Sequence, residues 1–107
     1  MSEAARIDVW LWRARFFKTR AMAARAVAEG AARVSRDGAS RALDKASSTV
    51  RAGDALTVWV NGKLRSLTVL ALGARRGPAQ EARTLYAEHA GELDGNAPAG
   101  QTDARKE

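Results

Sequence analysis

RIDVWLWRARFFKTRAMAARAVAEG, residues 6–30, sets six basic side chains among apolar ones at helical spacing. Ile7, Leu11 and Ala14 recur at intervals of four and three, which predicts one buried face of a helix over residues 7–17. A second stripe, Arg6, Trp10, Arg13 and Phe17, puts cations and aromatics on a shared flank. Asp8 suits either a cap or a favourable charge at that helix's positive N-terminus. Thr19 is a natural N-cap for a second helix, from Arg20 to about Glu29, with Met22, Ala23, Ala26 and Val27 facing inward. Gly30 stands where helices commonly end. Two short helices that each bury one face can offer the other to a polyanion.

Beyond Gly30 the pattern changes to short strands. Ala32-Arg33-Val34 is a candidate strand and Asp37-Gly38 a turn; residues 39–49, rich in Ala and Ser, read as a loop. Gly53-Asp54 is a further turn. Leu56 to Val60 alternates into Asn61-Gly62, a hairpin signal, and Leu64 to Leu72 returns as the partner, with Leu67–Leu72 as a buried strand. Trp59 then faces away from Leu56. Residues 78–88 read as a helix opened by Pro78, with Ala82, Leu85 and Tyr86 on one side. Residues 91–107 hold few large apolar side chains and read as a disordered tail. The expected organisation is a flexible stretch at 1–5, one domain at 6–73, a helical extension at 74–90 and the tail. The fold class is α+β: an N-terminal helix pair packed on a small twisted, mostly antiparallel sheet, plus a C-terminal helix.

Composition narrows the function. The 107 residues contain no cysteine and a single histidine, His89, so thiolate metal sites, multi-histidine sites and Ser-His triads of ordinary build are excluded. No metal, cofactor or catalytic residue is expected. The start MSEAARIDVW carries Glu3 and lacks the apolar core of a secretory signal, and no apolar run is long enough for a membrane helix, so a cytoplasmic protein is expected. Residues 1–90 hold 16 basic and 8 acidic side chains, whereas residues 91–107 hold 2 and 4. A basic body of that kind fits a polyanionic partner.

Arg6, Arg13, Arg15, Lys18, Arg20 and Arg25 can form a phosphate-facing patch across the two helices, helped by backbone N–H donors near Thr19. They cannot all point the same way. Arg15 lies with Asp8 and Trp12, and Arg25 is spaced to pair with Glu29, so about four of the six are expected to make contact. Trp10 and Trp12 suit core or flank packing ahead of base stacking. Asp8, Asp37, Asp44 and Asp54 each have a turn or cap explanation, and no acid–base pair stands out.

A basic helix pair alone would suit duplex DNA equally well. The order RxDxxLWxxR, KTRxxAxxxVxxG, Val34-Ser35-Arg36-Asp37-Gly38 and Lys45-Ala46-Ser47-Ser48-Thr49-Val50-Arg51-Ala52-Gly53-Asp54 resembles the ribosomal protein S4 type of RNA-binding domain over about residues 6–60. Trp10-Leu11-Trp12, Phe16-Phe17-Lys18-Thr19-Arg20, Arg75-Arg76-Gly77-Pro78-Ala79-Gln80-Glu81-Ala82 and Leu85-Tyr86-Ala87-Glu88 extend the likeness to the bacterial heat-shock protein 15 family over residues 6–90. Two departures stand out. Arg36 occupies a position usually apolar, where it either extends the RNA surface or shifts the strand register, and Ala42-Leu43 resembles a small insertion.

The resemblance implies RNA of the large ribosomal subunit as partner, with peptidyl-tRNA as a further candidate, and recycling of subunits left blocked by a nascent chain under heat stress. By motif position it carries RNA contact onto Arg6, Arg13, Lys18, Arg20 and Arg25, with Lys45 and Ser47 as weaker additions; Arg15 and Thr19 join from the patch itself. Arg75 and Arg76 are either a second phosphate contact or a solvated turn. A monomer without membrane association is expected. The alternative is a general structured-RNA or DNA-binding protein with no ribosomal role.

Overall fold

Two tight turns with left-handed backbone fold the middle of the chain into a sheet. Asp37 and Gly38 have φ of 54° and 81°, and Asn61 and Gly62 have 52° and 78°. Positive φ at both central residues matches the twist of flanking strands, so each turn returns the chain antiparallel. A computed structural model describes residues 3–89. In it β2 (Ala32–Arg36), β3 (Ala39–Leu43), β5 (Ala55–Val60), β6 (Lys63–Val69) and β7 (Tyr86–Glu88) form a sheet of order β3-β2-β5-β6-β7, antiparallel throughout. A two-stranded piece pairs β1 (Ala5–Arg6) with β4 (Thr49–Val50).

The helix pair covers one face of that sheet. Helix α1 (Ile7–Arg13) buries Ile7, Trp10 and Leu11, and α2 (Arg20–Ala28) buries Ala23 and Val27. They meet Val34 and Leu43 from β2 and β3, Leu56, Val58 and Val60 from β5, and Leu67 and Val69 from β6 in one apolar cluster. Burying a side chain of this size contributes roughly 1.5–3 kcal/mol, so the cluster is the main source of stability. The α+β architecture of helix pair on antiparallel sheet is as the sequence implies.

Several local expectations change. The first helix ends at Arg13, because Arg15 adopts φ 66° and the backbone N–H groups of Arg15 and Phe16 donate back to the carbonyls of Trp12 and Leu11. Helix α2 ends through the same double bond pattern, from Gly30 to Val27 and from Ala31 to Ala26. Residues 39–43 are a strand rather than loop: the Asp37-Gly38 turn brings them beside β2, and Leu43 is buried. Ala42-Leu43 therefore closes strand β3. The expected strand 64–72 ends at Val69, and Leu70 is exposed. Met22, expected inside, is also exposed. Ala5, expected in a flexible stretch, pairs with Val50.

The C-terminal part differs most. Only Ala79–Ala82 forms an α-helix, α3, followed by a 3-10 turn over Arg83–Leu85. The Thr84 hydroxyl donates to the Glu81 carbonyl at 2.6 Å, a side-chain competitor to the helical ladder. The backbone N–H groups of Leu70 and Ala71 both donate to the Leu85 carbonyl, and Tyr86–Glu88 then pairs with the free edge of β6. Completing the sheet outweighs a longer helix, so Tyr86–Glu88 of the expected helical extension belong to the sheet. The expected tail at 91–107 lies outside the described residues.

Candidate nucleic-acid interface

Asp8 anchors the basic end of the helix pair. It sits in the first turn of α1 with its side chain only 4% exposed, and a buried carboxylate requires partners. The Arg6 guanidinium supplies two hydrogen bonds, at 3.1 and 3.0 Å, and Val9 N–H a third at 2.8 Å. Arg20, at the start of α2, approaches the same carboxylate at 3.7 Å. The hydrogen bond from Arg6 to Asp8, reinforced by their charges, holds the Arg6 guanidinium above its ordinary pKa. Both arginine side chains nevertheless stay about half exposed, 49% and 51%. One buried carboxylate thus holds two forked cations at the surface with donors to spare.

Neighbouring residues join this end for local reasons. Thr19 caps α2, its hydroxyl oxygen accepting from Met22 N–H at 3.0 Å, so the positive end of α2 opens beside Arg20 and exposed Lys18. The turn at Lys45–Ser48 lies against the start of α1, with Ile7 N–H donating to the Ser48 carbonyl at 2.7 Å and Asp8 N–H to the Ala46 carbonyl at 3.4 Å. Lys45 and Ser47 are exposed on that turn. The structure therefore gathers Arg6, Lys18, Thr19, Arg20, Lys45 and Ser47 around the N-terminal ends of α1 and α2.

The other predicted cations lie elsewhere. Arg13 turns toward the segment after β6, donating to the carbonyls of Gly73 at 2.9 Å and Leu72 at 3.4 Å, with its Nε buried and without an acceptor among the described residues. Arg15 donates to the Gly77 carbonyl at 2.6 Å. Arg76 reaches back to the Trp12 carbonyl at 3.1 Å. These three arginines dock residues 72–77 onto the C-terminal end of α1. Arg25 is exposed without a partner among the described residues, the expected pair with Glu29 included, and lies about 140° around α2 from Arg20.

The open alternatives resolve along similar lines. Arg36 neither shifts the register nor stands free: its guanidinium makes two hydrogen bonds to buried Asp54, at 2.8 and 2.7 Å. Burial opposes ionisation of Asp54, but bonds from Arg36 and from Arg51 N–H at 2.8 Å outweigh it and hold its pKa below the ordinary value. Arg75 pairs with Glu81 at 2.7 Å while remaining exposed. Trp10 is core, its ring 6.1 Å from Phe16 and its N–H on the Ala71 carbonyl; Trp12 is half-buried. Sequence reasoning did not reach the Arg6–Asp8–Arg20 link. The signal was the unusual run of Asp8 inside a stripe of arginines. Among the described residues no helix is long and apolar enough to cross a membrane, and no group of acidic residues and histidine has metal-binding geometry.

No family model matches the chain. It is 41% identical over 85 residues to heat shock protein 15 of Escherichia coli, a match covering 79% of the chain and 60% of that protein. It is 34% identical over 83 residues to the heat shock protein 15 homolog of Haemophilus influenzae, covering 78% and 60%. The match thus spans about three fifths of the length of these relatives. The trimeric structure of Vibrio cholerae heat shock protein 15 superposes with a TM-score of 0.68 at 34% identity, covering 82% of this chain and 84% of that one.

Proposed function

The chain belongs to the heat-shock protein 15 family, and from that premise we propose that it is a non-catalytic RNA-binding protein of the large ribosomal subunit. Its role on this reading is the recycling of subunits blocked by a nascent chain on peptidyl-tRNA during heat stress, in the cytoplasm. The observation that carries the proposal is the Arg6–Asp8–Arg20 cluster, which presents two half-exposed guanidinium groups side by side. Ribosomal RNA phosphates would be held by Arg6, Arg20, Lys18 and Lys45, with Thr19 and Ser47 as hydroxyl contacts and Arg25 at the flank. Arg13 and Arg15 contribute through the fold, since each donates to a backbone carbonyl in residues 72–77. Every member of the cluster comes from one chain, so a monomer is a sufficient binding unit.

Shape and reached 2′-hydroxyls would provide discrimination, because the helix pair runs into a sheet and no recognition helix follows it among the described residues. The test is co-sedimentation with ribosomal particles over a salt series. Retention on large subunits carrying peptidyl-tRNA, above empty large subunits and small subunits, and lost in Arg6→Ala/Arg20→Ala, is the expected result. Equal weak retention on every particle would reduce the function to general nucleic-acid binding.

A further inference from the structure

The sheet face opposite the helix pair carries an exposed aromatic that neither the core nor the basic cluster uses. On β5, Leu56, Val58 and Val60 point into the core, so Trp59 points away and is 52% exposed. Its cross-strand neighbour on β6 is Leu64, itself 42% exposed. Beside them lies a hollow of about 290 Å³, walled by Trp59, Leu64, Thr57 and Arg33 and kept open by small residues such as Ala31 and Ala42.

The register explains the chemistry of this face. The row behind Trp59 and Leu64 reads Ala42, Arg33, Thr57 and Ser66 across four strands. Ser35 adds a hydroxyl in the next row, where the Thr68 hydroxyl is bonded to His89 Nε2 at 2.7 Å. None of these positions is acidic. Arg33 lines the hollow and is oriented by a hydrogen bond from its Nε to the Ser40 hydroxyl at 3.0 Å, with no acceptor for its terminal amino groups among the described residues. An exposed indole, one oriented guanidinium and a bed of hydroxyls form a set suited to a nucleotide: the base stacks on the ring and the phosphate meets the cation.

We propose that this outer sheet face, centred on Trp59 and Arg33, binds an unpaired RNA nucleotide adjoining the structured RNA held by the helix pair. The inference rests on the RNA-binding reading above. Charge complementarity favours RNA over a protein partner: the body is strongly basic, the paired positions of this face hold no acidic residue, and its large apolar side chains are Trp59 and Leu64. A stable protein interface buries about 800 Å² on each side, far more than those two side chains offer. The hollow also begins at the chain reversal after α2, where Trp59 N–H donates to the Ala31 carbonyl at 2.9 Å. A helix of nine residues spans about 14 Å, so an RNA strand of a few nucleotides can reach from the α2 N-terminus to this site.

The test uses the full chain and an RNA hairpin presented bare, with a single-stranded overhang of three adenylates, or with that overhang made abasic. The adenylate overhang is expected to tighten binding about tenfold. Trp59→Ala and the abasic overhang should each abolish the gain, Trp59→Phe should keep part of it, and bare-hairpin affinity should not change in either variant. The exposed position of Trp59 makes both variants compatible with folding, and thermal melting checks this directly. Quenching of Trp59 fluorescence by the detached oligoadenylate, relative to Trp59→Phe, reads stacking even if the bare hairpin fails to bind. Failure of the helix-pair reading is therefore distinct from failure of this one. An overhang gain that survives Trp59→Ala, or no gain and no quenching, overturns the proposal. So does a change in sedimentation on Trp59→Ala without any overhang effect, which would assign the face to protein association.

Discussion

The two ends of α1 carry the same side chain to opposite purposes. At the N-terminal end, Arg6 and the neighbouring Arg20 are held by one buried carboxylate and remain half exposed. At the C-terminal end, Arg13, Arg15 and Arg76 donate to backbone carbonyls across the junction with residues 72–77. A carboxylate shared by two arginines leaves donors on both unpaired, whereas a backbone carbonyl ties a guanidinium to the segment it docks, even at Arg15, which stays exposed. Availability to a phosphate follows from the acceptor that each arginine meets, not from its count in the sequence. The proposed RNA contact therefore belongs to the first end and mechanical support to the second.

The largest expected effect tests the supporting end. Arg13→Ala removes the bonds to the Gly73 and Leu72 carbonyls beneath a partly buried stem and should lower unfolding free energy by about 2–3 kcal/mol. Chemical denaturation measures it, and the folded variant should bind RNA nearly as well as the parent. A selective loss of binding without loss of stability would break the comparison.

Asp54 sharpens it next, as a buried carboxylate whose arginine serves only the fold. Its folded pKa is depressed, so its stabilisation is complete above the ordinary carboxylate value of 3.8 and disappears as pH falls through the lower folded value. Asp54→Asn should cost about 1–2 kcal/mol at neutral pH and flatten the loss of stability below pH 3.8. Thermal melts over a pH series read both. Glu88, depressed by the hydrogen bond from Arg65, adds to the same acid limb in the parent protein.

Smaller effects belong to the periphery of each end. Arg25→Ala should weaken RNA binding by only about twofold, because it lies far around α2 from Arg20 and can add no more than one screened phosphate contact. Filter binding at fixed salt would show it. Arg15→Gly should leave stability within about 1 kcal/mol of the parent. It loses the Gly77 bond but relieves a left-handed backbone that a side chain resists. A larger loss would mean that the side chain dominates that end.

Local signals were legible in the sequence and distant acceptors were not. The Thr19 cap, both two-residue turns and the alternation of Leu56, Val58 and Val60 are set by neighbouring residues, so spacing alone reveals them. Strand β3 was missed because Ala39 to Ala42 are all exposed and only Leu43 is buried, leaving no alternation to read. The C-terminal strand was missed because Pro78 and Ala82 signal a helix, whereas the edge of β6 that captures Tyr86–Glu88 is far off in sequence. Arg6 and Arg13 share a helical stripe, yet Arg6 meets Asp8 two residues on and Arg13 meets Gly73 sixty residues on. Arg36 likewise finds Asp54 eighteen positions later. The basic residues of the helix pair were readable; which of them meet a carboxylate and which meet backbone carbonyls was not.

That division is tested most directly by the salt dependence of affinity for a structured fragment of large-subunit RNA. About four to six neutralised phosphates predict a log–log slope of about −3 to −5 for the parent. Arg6→Ala/Arg20→Ala should make the slope shallower by about 1.5, whereas Arg13→Ala should leave it unchanged. Equal changes in both variants, or a change confined to Arg13→Ala, would contradict the account.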